Sequence, residues 1–232
     1  MQTHIRPVVP TDPYELLHWN MVLAHQTYEL GYMTIVSLLD HPPTRGLRNF
    51  LGYCEAWAHS VLHHHVTGEA TVFRALSTRM DFSHEREQHE EVHSFLVTFI
   101  TAIEEAQRDL SRFDAAKLKG LLETAKDAIV RALRHTLHFT HFSEEVSHIE
   151  GPKLQAAGFT ETECRHMIAD MEKHAKGHGH PFLVVPYMRS HTPPEFKSIW
   201  PPMPWVIRQV VVPLILARKH PGYWKYAPYT VC

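Results

Sequence analysis

The chain has 232 residues, of which 44% are hydrophobic and 21% are charged, and its formal net charge is −2. This composition is ordinary for a globular protein and excludes disordered and fibrous classes. A nearly neutral chain without a basic stripe is not expected to bind nucleic acid. The length allows one domain with a sizeable extension.

Cysteine content and hydropathy indicate the cellular compartment in which the protein is expected. The three cysteines, Cys54, Cys164 and Cys232, lie far apart without a C-x-x-C motif, so neither a disulfide framework nor a zinc ribbon is indicated. The N-terminus lacks the basic start and apolar core of a secretory signal. The most apolar stretch, residues 206–217, contains an arginine and a proline and is too short to cross a bilayer. We therefore expect a cytoplasmic (intracellular) protein without a membrane partner.

Four long helices with short connections are predicted between residues 12 and 151. Cap residues followed by helical apolar periodicity define their starts, and proline or glycine marks several of their ends. The helices are expected to run from Asp12 to about Leu39, from Thr44 to about Thr78, from Ser83 to about Leu110 and from Asp114 to about Ile149. Short connections make successive helices antiparallel, so this domain is predicted to be an up-down-up-down four-helix bundle.

Residues 152–232 differ in character from the helical region. Thr160 and Glu163 match the capping-box pattern, which predicts an additional helix over about 160–176. The remainder is dense in proline and aromatic residues, which argues against one regular element and against a solvated tail. The chain is therefore predicted to be all-α, with an additional helix and an irregular C-terminal extension packed on the bundle.

Three pairs of metal-ligating residues have a spacing of four, each on a different predicted helix. The pairs are His65/Glu69, His89/His93 and His141/Glu145. Residues four apart on a helix differ by about 40° in direction, so each pair can present two ligands to one point. On the first helix, His25 lies at a depth that matches the other ligands. His18, nearer the helix start, is the competing residue.

The ligand types indicate which metal this set would bind. Five imidazoles and two carboxylates are too many for one tetrahedral zinc, and an imidazole-rich set does not suit calcium or magnesium. Two transition-metal ions bridged by the carboxylates fit the set, with two iron ions as the leading prediction. Manganese, or a mixed iron and manganese pair, suits the same ligands.

The ordered set H…HxxxE…HxxxH…HxxxE over residues 12–151 resembles the hemerythrin-like, or HHE cation-binding, family. The resemblance implies one iron held by His25 and His65, a second held by His89, His93 and His141, and two bridges, Glu69 and Glu145. The chain departs from the oxygen-carrying hemerythrins because its fourth helix has His-x-x-x-Glu instead of His-x-x-x-x-Asp. Its C-terminal extension resembles that of fungal members of the family.

Other interpretations of these residues remain open from sequence. Glu90-x-x-His93 and Glu145-x-x-His148 also match the paired motif of ferritin-like di-iron bundles, although they fall on the third and fourth helices instead of the second and fourth. A bundle without metal is the third alternative. His63 and His64 point away from the direction of His65, so they are expected at the surface or beside the ligands. His135 and His138 are expected in the core.

The predicted function follows from an iron pair with an open position. We expect O2 as ligand or co-substrate, and an oxygen-dependent oxidoreductase that acts on a small organic molecule, with the extension shaping its pocket. No catalytic residue outside the metal ligands is assigned. The alternative is a non-catalytic protein for O2 or NO binding, sensing or iron handling. A partner-binding adaptor would instead require the Trp and Pro residues of the extension to be exposed.

Overall fold

In a computed structural model, the protein is described over residues 6–124 and 144–232. Within these ranges it is helical and has no β-strand. The α-helices are α1 (Pro13–Asp40), α2 (Leu47–Gly68), α3 (Ser83–Arg108), α4 (Ala115–Thr124), α5 (Glu144–His148), α6 (Gly151–Ala156), α7 (Glu161–His178) and α8 (Pro181–His191). A π-helical turn (Glu69–Phe73) and a short helix (Arg74–Leu76) continue α2, and a π-helical segment (Ile207–Leu216) follows α8.

The start of α1 is confirmed as predicted. The carboxylate of Asp12 accepts a hydrogen bond from the backbone N–H of Tyr14 at 2.9 Å, and Pro13 occupies the first turn, where a missing N–H leaves no helical bond unmade. The helix ends at Asp40, just before the predicted stop signal at residues 41–43. This 28-residue helix carries His25 at its middle.

The predicted start of α2 is wrong. Gly46, and not Thr44, caps the helix, and it does so with a φ of +81°, a left-handed conformation that favours glycine. After Gly68 the helix widens into the π-helical turn before it ends near the predicted Thr78. Such turns occur often at functional sites, and this one begins with Glu69, a predicted metal ligand.

The third predicted helix agrees with prediction except at its cap, and the fourth begins where predicted. Ser83 is the first residue of α3 and not its cap. Phe82 holds the cap position without a side-chain hydrogen bond, and Asp81 accepts the Ser83 N–H at 2.9 Å. The carboxylate of Asp114 accepts from Lys117 N–H at 2.9 Å, as predicted for the cap of α4. Residues 125–143 of the predicted fourth helix, which include His135, His138 and His141, lie outside the described residues.

The C-terminal extension is more regular than predicted. The capping box of Thr160 and Glu163 is confirmed, and α7 runs to His178. The segment after it is not simply irregular, since it contains α8 and the π-helical segment. Proline density misled the prediction because Pro181 occupies the first turn of α8, where proline is well tolerated, and because Pro186 and Pro213 lie inside helical segments.

A hydrophobic cluster joins the N-terminal helices to the extension. Trp57 on α2 is completely buried, and its ring packs edge-on against Phe99 of α3 with centroids 5.7 Å apart. Tyr187 of α8 belongs to the same cluster and donates a hydrogen bond from its hydroxyl to the backbone oxygen of Thr27 at 2.8 Å. The extension therefore shares the main core with α1, α2 and α3.

A second cluster positions α5. Val146 of α5 and Ile149, which follows the helix, are buried together with Phe73 of the π-helical turn and Val22 of α1. Burial of these apolar side chains holds the short helix α5 against α1. Glu145 precedes Val146, so this packing brings its carboxylate to the level of His25.

Candidate metal centre

Three groups from α1, α2 and α5 converge at one buried point. The Nε2 atom of His25 lies 3.0 Å from Nε2 of His64 and 3.4 Å from Oε2 of Glu145. One ligand atom from each residue lies within 4.8 Å of the others. His25 and Glu145 are buried and His64 is half-buried. Two imidazole nitrogens and a carboxylate oxygen at these separations suit a transition-metal ion.

His89 of α3 extends this group on the other side of Glu145. Its Nε2 atom lies 3.7 Å from the same Glu145 oxygen, and its Nδ1 atom lies 2.8 Å from Oε1 of Glu69. Glu145 therefore stands between His25 and His89. Glu69 faces the outer nitrogen of His89, where a carboxylate orients a ligating imidazole.

His65 and His93 complete the cluster beside His89. The His65 ring stacks on that of His89 with centroids 4.0 Å apart and on that of His93 at 5.6 Å. Three of their ring nitrogens have no hydrogen-bond partner within residues 6–124 and 144–232: Nδ1 and Nε2 of His65, and Nε2 of His93. Buried polar atoms without a partner destabilise a fold by about 1–3 kcal/mol each. A bound metal ion would satisfy them.

Electrostatics keep most of these donors in a metal-binding form. Burial, followed by the nearby His25, lowers the pKa of His64 to about 3, and burial lowers the pKa of His65 well below its usual value. Burial raises the pKa of Glu145, but the adjacent His25 and His89 outweigh it and bring the pKa to about 2. Neutral imidazoles and an ionised carboxylate are the states that bind metal ions. The donor set therefore fits transition-metal binding.

The structure brings together six of the seven predicted ligands and adds one. His25, His65, Glu69, His89, His93 and Glu145 form a connected group, while His141 lies outside the described residues. The added residue is His64, which sequence reasoning assigned to the surface or to the vicinity of the ligands. Its proximity to His25 was not evident from spacing, because it does not belong to a pair four residues apart.

The competing interpretations receive less support from the geometry. Glu90, the first residue of a predicted Glu-x-x-His motif, is exposed. His148, the last residue of the other, pairs with Glu85 of α3 and not with the cluster. The alternative ligand on α1, His18, is half-buried. Burial lowers the pKa of His18, although the nearby Glu15 and Glu150 oppose this shift. The exposure of Glu90 and the pairing of His148 with Glu85 argue against a ferritin-like ligand set.

A cavity of about 490 Å³ lies next to the cluster. Its wall includes Tyr28 of α1 and His64 of α2, whose ring centroids are 5.1 Å apart. The opposite wall comes from α7, α8 and the proline-rich segment around Trp200. The extension therefore encloses a space that reaches a residue of the candidate metal centre.

Metal affinity is expected to rise with pH. Burial lowers the pKa of His89, but the adjacent carboxylates of Glu145 and Glu69 outweigh it and raise the pKa to about 9. The His89 ring is therefore protonated at neutral pH without metal, and a metal ion at Nε2 must displace that proton. We expect cobalt(II) affinity to increase steadily between about pH 6 and 9, with proton release on binding. Titrations in buffers of different ionisation enthalpy measure both quantities.

The matched variant for this test is Glu69→Gln. Loss of the Glu69 charge lowers the pKa of His89 toward its ordinary value, so the pH dependence should flatten above about pH 7. An affinity that is independent of pH in the unsubstituted protein would contradict the proposed role of His89. The same linkage predicts that the stabilising His89 interaction in the metal-free protein is fully present below about pH 6.5 and is lost progressively as the pH rises to about 9.

Two further findings concern the whole chain. Across the described ranges, no helix combines the length and the apolar character needed to cross a membrane. Comparisons with protein families, with curated proteins and with solved structures found no match for this chain. Function is therefore inferred from the chemistry of the metal cluster and of the cavity beside it.

Proposed function

We propose that this chain is a non-haem iron protein that carries two iron ions in a hemerythrin-like four-helix bundle and acts as an oxygen-dependent oxidoreductase on a small organic molecule. The observation that carries this proposal is the buried group of imidazoles and carboxylates around Glu145. Manganese, or a mixed pair, would use the same ligands.

The residues divide into two sets around Glu145. His25 and His64 would hold an ion on one side, and His89, with His65 and His93 nearby, would hold an ion on the other. The Glu145 carboxylate, within 3.4 Å and 3.7 Å of the two sides, would be shared. His141 is the remaining ligand predicted from the resemblance.

Iron, when bound, supplies the redox chemistry that reduces dioxygen. The chain supplies orientation and shielding. A carbonyl or carboxylate beside one ring nitrogen fixes the tautomer of a histidine, and Glu69 has this position at Nδ1 of His89. That leaves Nε2 of His89 directed toward Glu145. Phe73 stacks on the His89 ring at 5.1 Å and keeps water from that face.

The adjoining cavity supports turnover over simple gas binding. A carrier or sensor needs room only for a diatomic molecule, whereas about 490 Å³ lies in the range of small-molecule sites. Because His64 belongs both to the cluster and to the cavity wall, a molecule in the cavity would lie against the metal centre.

The test combines metal analysis with oxygen uptake. Protein loaded with iron(II) under nitrogen should contain about two iron ions per chain and should consume O2 when a chemical reductant is added. The same chain loaded with zinc is the control and should consume none. Less than one ion per chain, or iron that does not react with O2, would refute the oxidoreductase. Reversible O2 or NO binding without consumption would support the binding-protein alternative.

A further inference from the structure

We propose that the cavity beside the metal cluster is the substrate site and that it takes an uncharged, largely apolar organic molecule with one hydrogen-bonding group. The role of this molecule as a substrate rests on the proposed function. Its binding does not, because the cavity is formed by the chain alone.

The interior surface of the cavity is mainly apolar. Side chains from α1, α8 and the π-helical segment contribute aliphatic and thioether groups, among them Met21, Ala24, Val184, Met188, Ile207 and Leu216. Burying apolar surface against such a wall stabilises a complex. A polar or hydrated ligand would lose its water without compensation. The wall therefore selects apolar molecules.

Charged ligands are disfavoured because the permanent charges of the lining are already paired. Glu172 and Lys176 of α7 line the cavity, and they pair with each other at 3.3 Å. Their side chains are 39% and 70% exposed, which places them on the solvent side. A carboxylate or an amine inside the cavity would have no free partner of opposite charge among these two residues, and an unpaired buried charge is strongly unfavourable.

The polar end of the cavity lies at the metal cluster. His64 and Tyr28 are packed together there, and Nε2 of His64 lies 3.0 Å from Nε2 of His25. Asn20 also lines the wall, and its side-chain oxygen accepts a hydrogen bond from the Trp200 indole at 3.2 Å. Toward this end of a mainly apolar wall, a hydroxyl or carbonyl group of the ligand meets the hydrogen-bonding side chains of Tyr28 and His64.

The wall also allows some variation in ligand shape. Four methionines line it: Met21, Met171, Met188 and Met203. Unbranched thioether side chains adapt to irregular partners more readily than branched aliphatic ones. We therefore expect a class of related apolar molecules to bind and not one compound.

The test uses Nile red, an uncharged fluorescent probe, with the full chain in the presence and absence of cobalt(II). Probe fluorescence should increase on binding, and 1-decanol should displace the probe. Decanoate, which has the same chain length but a charge at about pH 8, should displace it at least tenfold less effectively. Equal displacement by the two competitors would overturn the assignment to uncharged ligands.

Two variants that fill the cavity locate the probe. Val184→Trp and Ile207→Trp each add an indole to the wall and should weaken probe binding by about tenfold or more. Val97→Trp places the same group on α3 at a position that is 58% exposed and outside the cavity, so it should leave binding unchanged. Thermal unfolding verifies that all three variants fold. Unchanged binding in both cavity variants would overturn the proposal.

Cobalt(II) titration of the same variants separates this inference from the proposed function. Neither Val184 nor Ile207 belongs to the metal cluster, so metal affinity should be unaffected in both variants. If the unsubstituted chain bound the probe but no metal, the proposed iron-dependent function would be refuted, and the assignment of the cavity to uncharged ligands would still hold. Metal binding without probe binding would refute the cavity assignment alone.

Discussion

Glu145→Gln is expected to lower the affinity of the chain for iron(II) or cobalt(II) by about 100-fold or more. The Glu145 carboxylate is buried and stands 3.4 Å from His25 and 3.7 Å from His89. Glutamine has nearly the same shape but lacks the negative charge, so the variant tests the charge and not the packing. Competition with a coloured chelator measures the affinity in solution.

Two further variants make this result specific. His166→Ala removes an exposed imidazole on α7 that is not part of the cluster, and it should leave the affinity unchanged. Glu69→Gln should have a smaller effect, about 10- to 100-fold, if Glu69 orients His89 from outside the metal shell. An effect as large as that of Glu145→Gln would instead support the bridging role predicted for Glu69 from sequence. Metal binding that survives Glu145→Gln unchanged would refute the centre described here.

Tyr187→Ala is expected to lower the free energy of unfolding by about 3–5 kcal/mol. The Tyr187 ring is completely buried, stacks on His191 with centroids 4.0 Å apart and lies nearly parallel to Tyr28 at 6.3 Å. Its hydroxyl donates to the backbone oxygen of Thr27 at 2.8 Å. The variant removes both the apolar contact between α8 and α1 and this hydrogen bond. Urea unfolding followed by circular dichroism measures the loss.

Conservative and exposed substitutions control for this prediction. Tyr187→Phe keeps the ring and removes the hydrogen bond, so it should lower the free energy of unfolding by about 0.5–1.5 kcal/mol. Trp205→Ala changes a residue of the extension that is 63% exposed, and its effect should stay within about 0.5 kcal/mol. If Tyr187→Ala were no more harmful than Trp205→Ala, the extension would not share the core of the N-terminal helices.

Local signals predicted the helices that rest on side-chain capping. Asp12 at the start of α1, and Thr160 with Glu163 at the start of α7, are confirmed because a cap involves only residues within one turn. The start of α2 was mispredicted because Gly46 caps it through its left-handed backbone and without a side-chain hydrogen bond. Thr44, a good capping residue by type, was favoured by a rule that considers side chains alone.

Spacing along one helix predicted which ligand groups share a direction, but it could not predict which neighbour they meet. His64 and His65 differ by about 100° in direction, so residue spacing assigns at most one of them to a given point. In a packed helix both directions are occupied: His65 faces His89 and His93 of α3, while His64 faces His25 of α1. The candidate centre therefore includes residues from two interfaces of α2, one with α3 and one with α1. Only the packing of the helices determines this arrangement.

The sequence by itself therefore determined the helical class, several helix starts and a set of histidine and glutamate residues at matched spacing. Each of these depends on interactions within a few residues of the chain. Tertiary structure decided the rest. In the folded chain His64 lies beside His25, and Glu69 lies at the outer nitrogen of His89. Tertiary structure also folded the proline-rich extension into a wall of the cavity. These features depend on contacts between residues 20 to 160 positions apart, from His89 with Glu69 to Tyr187 with Thr27, and no local pattern encodes such contacts.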